Sequence, residues 1–189
     1  GGTAIAVDCD VSDSASVARL VARAQSEFGR VHVLLHAAGI CPRKPLLEMS
    51  DDEWRQVLRV NLDGSFYLTR DVGRLMAAQK SGTMILVTSD RGVHGSIDYA
   101  HYAASKGGTI ALTKSLALHL APRIRVNAIC PCDVETPMLE FQAREFGGGN
   151  PQAYLANNDA TGFFSQTDDL LLTGPTLTNV NDVRVILVD

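Results

Sequence analysis

Hydrophobic residues along this chain form short continuous runs that alternate with longer amphipathic stretches. Apolar runs of this length, bounded by turn residues, are typical of strands buried in a parallel sheet. The stretches between them repeat apolar residues at helical spacing, as helices packed on a sheet do. The alternation therefore predicts an α/β fold with a mostly parallel sheet. The predicted strands are Thr3–Asp8, Val31–His36, Thr83–Thr88 and Ile124–Cys130.

Capping residues mark the ends of the first predicted helix. Either Ser12 or Asp13 can cap its start, because both side chains accept hydrogen bonds from the first backbone N–H groups. The helix runs to Phe28, and Gly29 ends it, since glycine readily adopts the left-handed conformation of a helix C-terminus.

A longer second helix begins at the S-x-x-E capping box of residues 50–53 and reaches about Ala78. Asn61 lies inside it, and because asparagine is a poor residue for a helix interior, a polar role for this side chain is plausible. A third helix follows Tyr102 and is ended by Pro122.

Composition and charge narrow the class of protein. The chain has 189 residues, 46% of them hydrophobic and 20% charged, which is ordinary for a globular domain. A net charge of -4 gives no reason to expect a nucleic-acid partner, and no apolar run approaches the roughly 20 residues of a membrane span. We expect a cytoplasmic protein. The cysteines at 9, 41, 130 and 132 lack metal-ligand spacing, so we expect thiols and no metal.

The stretch from Ser89 to Lys106 carries the candidate chemistry. Tyr102 and Lys106 are four positions apart, which places them on one face of a helix. A lysine ammonium near a phenol is expected to lower the pKa of that phenol. Ser89, at the end of the preceding strand, can offer a hydroxyl to the same place. The competing interpretation is a plain surface helix, since tyrosine and lysine are common on helices.

These residues resemble the motifs of the short-chain dehydrogenase/reductase family. The resemblance covers Gly1 to about Tyr154, including the order of the strand, the serine and the Y-x-x-x-K helix. Four further stretches agree with the family: Asp10-Val11, the L-L-H-A-A-G run ending at Gly39, V-N-L-D-G at residues 60–64, and R-V-N-A-I-C-P at residues 125–131.

The resemblance implies a Rossmann-like, doubly wound sheet and hydride transfer between NAD or NADP and a small alcohol or ketone. Tyr102 would be the acid/base, Lys106 would assist it and hold the ribose, Ser89 would bind the carbonyl oxygen, and Asn61 would order a relay water. Asp10 would bind the adenine amino group, and Gly39 would allow the backbone to approach the cofactor. The other cofactor-binding residues implied are Val11, Ala38, Pro131, Val134 and Thr136. The alternative for Asp10 is a helix cap.

Several family features are absent from the sequence as given. The glycine-rich T-G-x-x-x-G-x-G turn and the first two strands would precede Gly1. We therefore expect a truncated sheet, weak or no NAD(P)H binding and impaired turnover. We also expect Thr3–Asp8 either to pair directly with Val31–His36 or to leave a gap, with aggregation in solution. The family's N-N-A-G is His-Ala-Ala-Gly at residues 36–39, its P-G pair is Pro131-Cys132, and Asp90-Arg91 follows the serine.

The last part of the chain resembles a different family. Residues 155–189 contain T-G-P-T-L-T-N-V-N-D, which is similar to the C-terminal end of the glycerate 2-kinases, also called hydroxypyruvate reductases. We therefore divide the chain into a dehydrogenase part, residues 1–154, and a tail, residues 155–189. The runs Leu170–Leu172 and Val183–Val188 are predicted to be short strands.

Three functions remain open from the sequence alone. The first is the NAD(P)-dependent oxidoreductase that the middle of the chain resembles. The second is a catalytically inactive fragment or fusion that forms homo-oligomers through the helices at 51–78 and 99–120. The third is a function related to glycerate kinases, which only the tail supports.

Overall fold

The computed structural model describes residues 3–132, and within them strands and helices alternate as the hydrophobic pattern predicts. The strands are β1 (Val33–His36), β2 (Gly82–Val87) and β3 (Ile124–Ile129). The helices are α1 (Ser14–Phe28), α2 (Asp51–Leu58), α3 (Gly64–Gln79), α4 (Arg91–His94) and α5 (Ala100–Leu120), with a short 3-10 turn at Leu46–Glu48.

The strands form a parallel sheet in the order β1-β2-β3. Leu34 lies beside Met84, and Leu86 lies beside Ala128. Helix α3 packs on β1 and β2, and α5 packs on β3. Parallel strands joined through helices confirm the predicted α/β class. The core combines one sheet face with the apolar stripes of the helices: Val17, Leu20, Leu34, Leu68, Met76, Met84 and Val126 are among its buried members.

The predicted helix ends are confirmed where capping residues marked them. Asp13, one of the two candidates, caps α1 by accepting hydrogen bonds from the N–H groups of Ala15 and Ser16. Gly29 ends α1 in the left-handed conformation, with a φ of 71°. The capping box at residues 50–53 is formed reciprocally, as the sequence predicts.

The second helix is not continuous, contrary to the prediction. A π-helical turn, Arg59–Asp63, separates α2 from α3 and contains Asn61. A π turn inserts one extra residue into the helical winding, which changes the direction of the residues within it. The turn thereby aims Asn61 into the protein, where it is 1% exposed.

The predicted strand Thr3–Asp8 does not form, and its direct pairing with Val31–His36 is wrong. The segment packs on the core through Val7 instead. Its continuation is held at α1 and α3: the Asp10 N–H donates to Ser16 Oγ, and Val11 lies against Gly64. Within residues 3–132 the sheet contains β1, β2 and β3, so residues 3–8 do not extend it beside β1.

The expectations for residues beyond 132 fall outside the described part of the chain. They concern the strands Leu170–Leu172 and Val183–Val188, the tail at residues 155–189, and the candidate cofactor contacts Val134 and Thr136. Within residues 3–132, no helix has the length and apolar character needed to cross a membrane.

Candidate active site

The candidate site lies where the three parallel strands end. Because the carboxyl ends of parallel strands meet at one edge of a sheet, the chain that leaves each strand contributes to a common crevice. Gly39 follows β1, Ser89 follows β2 and Cys130 follows β3. Thr88 links the ends of β2 and β3, since its N–H and its hydroxyl both donate to the Ile129 carbonyl, at 2.8 and 2.9 Å.

Helix α5 brings Lys106 under this crevice. The side chain is 6% exposed, and its Nζ donates to the Val87 carbonyl oxygen at 2.8 Å. Nζ also lies 5.6 Å from the centroid of the Tyr102 ring, so the pair shares a helix face as its spacing predicts. Burial lowers the pKa of Lys106 to about 8, opposed by the charge of Cys41.

Tyr102 meets Ser89 at the end of β2. Burial raises the pKa of the Tyr102 phenol to about 12, and the charge of Cys41 acts in the same direction. A hydrogen bond with Ser89 and the charge of Arg91 oppose this shift. The Ser89–Tyr102 contact fulfils the geometric expectation that the two side chains converge.

The expected lowering of the Tyr102 pKa by Lys106 is wrong for this structure. The Lys106 ammonium is bonded to the Val87 carbonyl and faces the ring of Tyr102. Desolvation of the phenol is the dominant effect on its pKa. Proximity on a helix face is therefore not sufficient to stabilise the phenolate, because burial penalises the charged form.

Asn61 joins the loop after β1 to helix α5. Its Oδ1 accepts from the Ile40 N–H at 2.8 Å, and its Nδ2 donates to the Ile40 carbonyl at 2.9 Å and to Ser105 Oγ at 3.1 Å. The amide therefore fixes the backbone next to Gly39 and the residue before Lys106. Asn61 has the polar role that its position in a helix suggested, through protein contacts on both ends of its amide.

Gly39, in the loop after β1, lies close to Asn61 and Lys106. A Cβ at this position would lie 3.1 Å from Asn61 Oδ1 and 3.5 Å from Lys106 Nζ. The approach to Asn61 is tight and the approach to Lys106 is an ordinary contact, so an added Cβ would press on the Asn61 amide. The absence of a side chain leaves backbone facing the crevice, which fits a site that admits a flat or extended ligand close to the main chain.

Asp10 and Val11 lie on the segment that leads into α1. The Asp10 carboxylate is exposed and accepts hydrogen bonds from the N–H and the hydroxyl of Ser12, which lower its pKa. It does not cap α1, because Asp13 does. Val11 is buried against Gly64, where a Cβ would lie 3.1 Å from the valine. Ala38 is also buried, beside Gly39.

Sequence reasoning missed His36, which stands where the family has asparagine. His36 is 2% exposed, its Nε2 lies 3.1 Å from Ser65 Oγ, and Ser65 Oγ donates to the Asn61 carbonyl. Burial and the charge of Lys106 lower the pKa of His36 to about 4. The departure from the N-N-A-G pattern was the available signal, because a polar residue at a strand end needs a buried partner there.

No group of His, Cys, Asp or Glu side chains within residues 3–132 is arranged as a metal site. The described cysteines form no disulfide.

Comparison with known proteins settles the family. Residues 1–158 match the family described as enoyl-(acyl carrier protein) reductase. The chain belongs to the short-chain dehydrogenase/reductase family. It is 40% identical to a 3-oxoacyl-[acyl-carrier-protein] reductase of Synechocystis over 141 residues, covering 74% of this chain and 57% of that protein. It is 37% identical to the short-chain reductase protein NovJ of Streptomyces niveus, covering 92% of this chain and 67% of NovJ.

Solved structures agree with this assignment and with a Rossmann-like fold. A short-chain dehydrogenase/reductase of Burkholderia xenovorans superposes with a TM-score of 0.74 at 30% identity, covering 82% of this chain and 59% of that one. The chain thus spans between about half and two thirds of the relatives it matches. Residues 137–182 match the MOFRL family, in agreement with the resemblance of the tail to the ends of glycerate 2-kinases.

Proposed function

We propose that this chain forms the acid–base half of an oxidoreductase that interconverts a small alcohol and its ketone with a nicotinamide cofactor. The observation that carries the proposal is the meeting of Ser89, Tyr102 and Lys106 at the carboxyl end of β2. Curated relatives include a 3-oxoacyl-[acyl-carrier-protein] reductase and a protein named as an NAD-dependent oxidoreductase. The proposal covers both NAD and NADP.

The protonation states favour proton donation to a ketone. With a pKa of about 12, the Tyr102 phenol carries its proton at neutral pH. A substrate oxygen placed beside Ser89 can receive that proton. A nicotinamide nucleotide held in the crevice would supply the hydride for the carbonyl carbon. Lys106, held by the Val87 carbonyl, places a nearby charge that balances the alkoxide as it forms. Alcohol oxidation requires the phenolate, so it demands a higher pH.

The residues around the crevice fit a nicotinamide nucleotide in part. Gly39 leaves room beside Asn61 and Lys106. We propose that Lys106 holds a ribose hydroxyl of the nucleotide. We propose that the exposed Asp10 carboxylate binds the adenine amino group, beside the buried Val11. Asn61, which holds Ile40 and Ser105, would order the relay water that links Lys106 to solvent. Ala38, Pro131, Val134 and Thr136 complete the proposed contacts.

We further propose a homo-oligomer and a two-part chain. Exposed apolar side chains, Phe66 on α3 and Leu118 on α5, lie on the two helices expected to form the contact. The division near residue 154 follows from the resemblance of the tail. A cytoplasmic location accords with cysteines that form no disulfide in the described residues.

Replacing Tyr102 by phenylalanine tests the catalytic proposal. We expect Tyr102→Phe to lower kcat/KM for ketone reduction by about 100- to 10,000-fold, because the proton donor is removed. The assay follows NAD(P)H absorbance with a panel of ketones and 3-oxo thioesters.

The matched control is Tyr99→Phe. Tyr99 is a neighbouring buried phenol with Ala103, not lysine, four positions beyond it. We expect its replacement to leave kcat/KM within about threefold of the parent, since this phenol donates no proton to the substrate. Equal activity of Tyr102→Phe and the parent protein, or turnover of no ketone or alcohol in the panel, would overturn the proposal in favour of a non-catalytic protein.

A further inference from the structure

A buried series of hydrogen bonds links the end of β1 to the π turn between α2 and α3. His36 Nε2 lies 3.1 Å from Ser65 Oγ, and Ser65 Oγ donates to the Asn61 carbonyl at 2.5 Å. None of the three residues is more than 2% exposed, so these bonds form in the protein interior. The series connects the histidine that departs from the family's N-N-A-G pattern to the residue that organises the loop after β1.

The partners in this series assign its protons. A carbonyl oxygen only accepts, so the single hydroxyl proton of Ser65 is directed to Asn61. His36 Nε2 must then carry a proton of its own, since two lone pairs would otherwise face each other at 3.1 Å.

The other ring nitrogen of His36 takes no part in the series. Burial and the charge of Lys106 lower the pKa of His36 to about 4, so the imidazole is neutral at neutral pH and its Nδ1 carries no proton. Nδ1 is buried and has no hydrogen-bond partner among residues 3–132. Within this part of the chain, the imidazole therefore acts through its bond to Ser65.

The Asn61 side chain extends the series to the candidate site. Its amide bonds to the N–H and the carbonyl of Ile40, and its Nδ2 also bonds to Ser105 Oγ. Ser105 Oγ in turn donates to the Tyr102 carbonyl at 2.7 Å. Because Ser65 bonds back to the carbonyl four residues earlier, it restrains the turn that aims Asn61 at these partners.

From these contacts we propose that His36 and Ser65 are positioning residues for Asn61. The Nε2 proton of His36 orients the Ser65 hydroxyl, and that hydroxyl holds the Asn61 peptide in the π turn. The catalytic consequence rests on the proposed function, in which Asn61 orders the relay water that serves Lys106. The inference adds to that function the need for a hydrogen-bond donor at position 36.

Hydrogen exchange tests the positioning without turnover. The Ile40 N–H reports the place of the Asn61 amide, because it donates to Asn61 Oδ1 at 2.8 Å. The Thr88 N–H, which donates to the Ile129 carbonyl, is the reference for general stability. We expect Ser65→Ala to accelerate exchange at Ile40 about tenfold more than at Thr88, as the loss of about one net hydrogen bond would.

Two substitutions of His36 test the need for a donor. In His36→Gln the side-chain amide nitrogen lies near the former position of Nε2, so it can still donate to Ser65. In His36→Asn the amide nitrogen lies near the former position of Nδ1, too far back to reach Ser65. We expect His36→Asn to accelerate exchange at Ile40 as Ser65→Ala does, and His36→Gln to stay near the parent rate.

Thr113→Val is the matched control for Ser65→Ala. Thr113 is also buried on a helix, and its Oγ1 donates to the carbonyl four residues earlier, that of Thr109, at 2.8 Å. The control therefore loses the same kind of bond without touching the bonds of Asn61. We expect it to change exchange at Ile40 and at Thr88 by the same factor.

Kinetics and nitrogen NMR complete the test. In the ketone assay, Ser65→Ala and His36→Asn should lower kcat by about tenfold and leave KM for the ketone within about threefold, because the restraint acts on proton supply. His36→Gln should recover most of the parent kcat. The nitrogen NMR spectrum of His36 in the parent protein should show a proton on Nε2 and none on Nδ1.

Three results would overturn the inference: a proton on Nδ1 in place of Nε2, equal changes at Ile40 and Thr88 in Ser65→Ala, or no recovery in His36→Gln relative to His36→Asn. Selective exchange at Ile40 without any turnover would sustain the positioning role and refute the proposed function. Turnover without selective exchange at Ile40 would leave the proposed function standing and remove His36 and Ser65 from it.

Discussion

His36 shows at the scale of one residue how the site affects stability. Its imidazole is buried neutral, with the pKa lowered from 6.5 to about 4. Between pH 6.5 and about 4, His36 binds a proton in the unfolded chain and stays neutral in the folded chain. The free energy of unfolding must therefore fall as the pH drops from 6.5 to about 4. Above pH 6.5 both states are neutral, and the contribution of His36 no longer depends on pH.

We expect the stability of the parent protein to fall between about pH 7 and pH 4, with up to about 3 kcal/mol of the loss due to His36. Urea unfolding at several pH values measures it. His36→Asn, which restores the family residue and cannot titrate, should show a shallower loss. His101 is buried with a lowered pKa as well, so some pH dependence remains in the variant. Parallel curves for both proteins would contradict the assignment to His36.

The candidate residues differ in how far the sequence could reveal them. Tyr102 and Lys106 were predictable because helical spacing alone places them on one face. The direction of the Tyr102 pKa shift was not predictable, because it depends on burial and on Cys41 and Arg91, which lie on other segments. Likewise, no spacing rule connects His36 to Ser65, because their contact exists only once β1 and α3 have packed.

At the scale of elements, caps were predictable and the π turn was not. A capping box is a local pattern in which the interacting groups are three residues apart, and Ser50 and Glu53 form it as predicted. The extra residue of the π turn at Arg59–Asp63 leaves the apolar pattern on both sides helical. Its stabilisation comes from tertiary contacts of Asn61, including the hydrogen bonds to Ile40 on another segment.

The contact between α4 and α5 depends on Gly92. A Cβ there would lie 2.8 Å from the Gly107 nitrogen and 2.8 Å from the Lys106 carbonyl carbon, and backbone atoms cannot move aside individually. We expect Gly92→Ala to destabilise the fold by about 1–3 kcal/mol and to displace Lys106, lowering kcat/KM as well. Chemical denaturation and the ketone assay measure the two effects.

Gly73→Ala is the matched control for this contact. Gly73 is also helical, but its added Cβ would lie 3.5 Å from Met84 Cε, an ordinary contact with the end of a flexible side chain. Alanine is the better helix former, so we expect Gly73→Ala to stabilise α3 by about 0.5–1 kcal/mol. Equal effects of the two substitutions would show that the approach of α4 to α5 is not limiting.

At the scale of the whole molecule, the hydrophobic runs predicted a mostly parallel sheet, which β1, β2 and β3 form, but they misjudged Thr3–Asp8. An apolar run indicates burial, and Val7 and Cys9 do pack on the core. It does not indicate which strand will pair with the run, because the pairing depends on where the following segment is held. Here Val11 is fixed against Gly64 at the start of α3.

Hydrogen exchange tests this arrangement. The Thr83 N–H donates to the His32 carbonyl at 2.9 Å, so in a parallel pair the amides of Leu34 and His36 face β2. The amides of Val33 and Leu35 face the opposite side, where a directly paired Thr3–Asp8 would accept from them. Since residues 3–8 form no such pair, deletion of residues 1–6 should leave the exchange rates of Val33 and Leu35 unchanged. Leu34 and His36 are internal references: faster exchange at all four amides would report a general loss of stability. Faster exchange at Val33 and Leu35 alone would mean that the N-terminal segment does pair with β1 in solution.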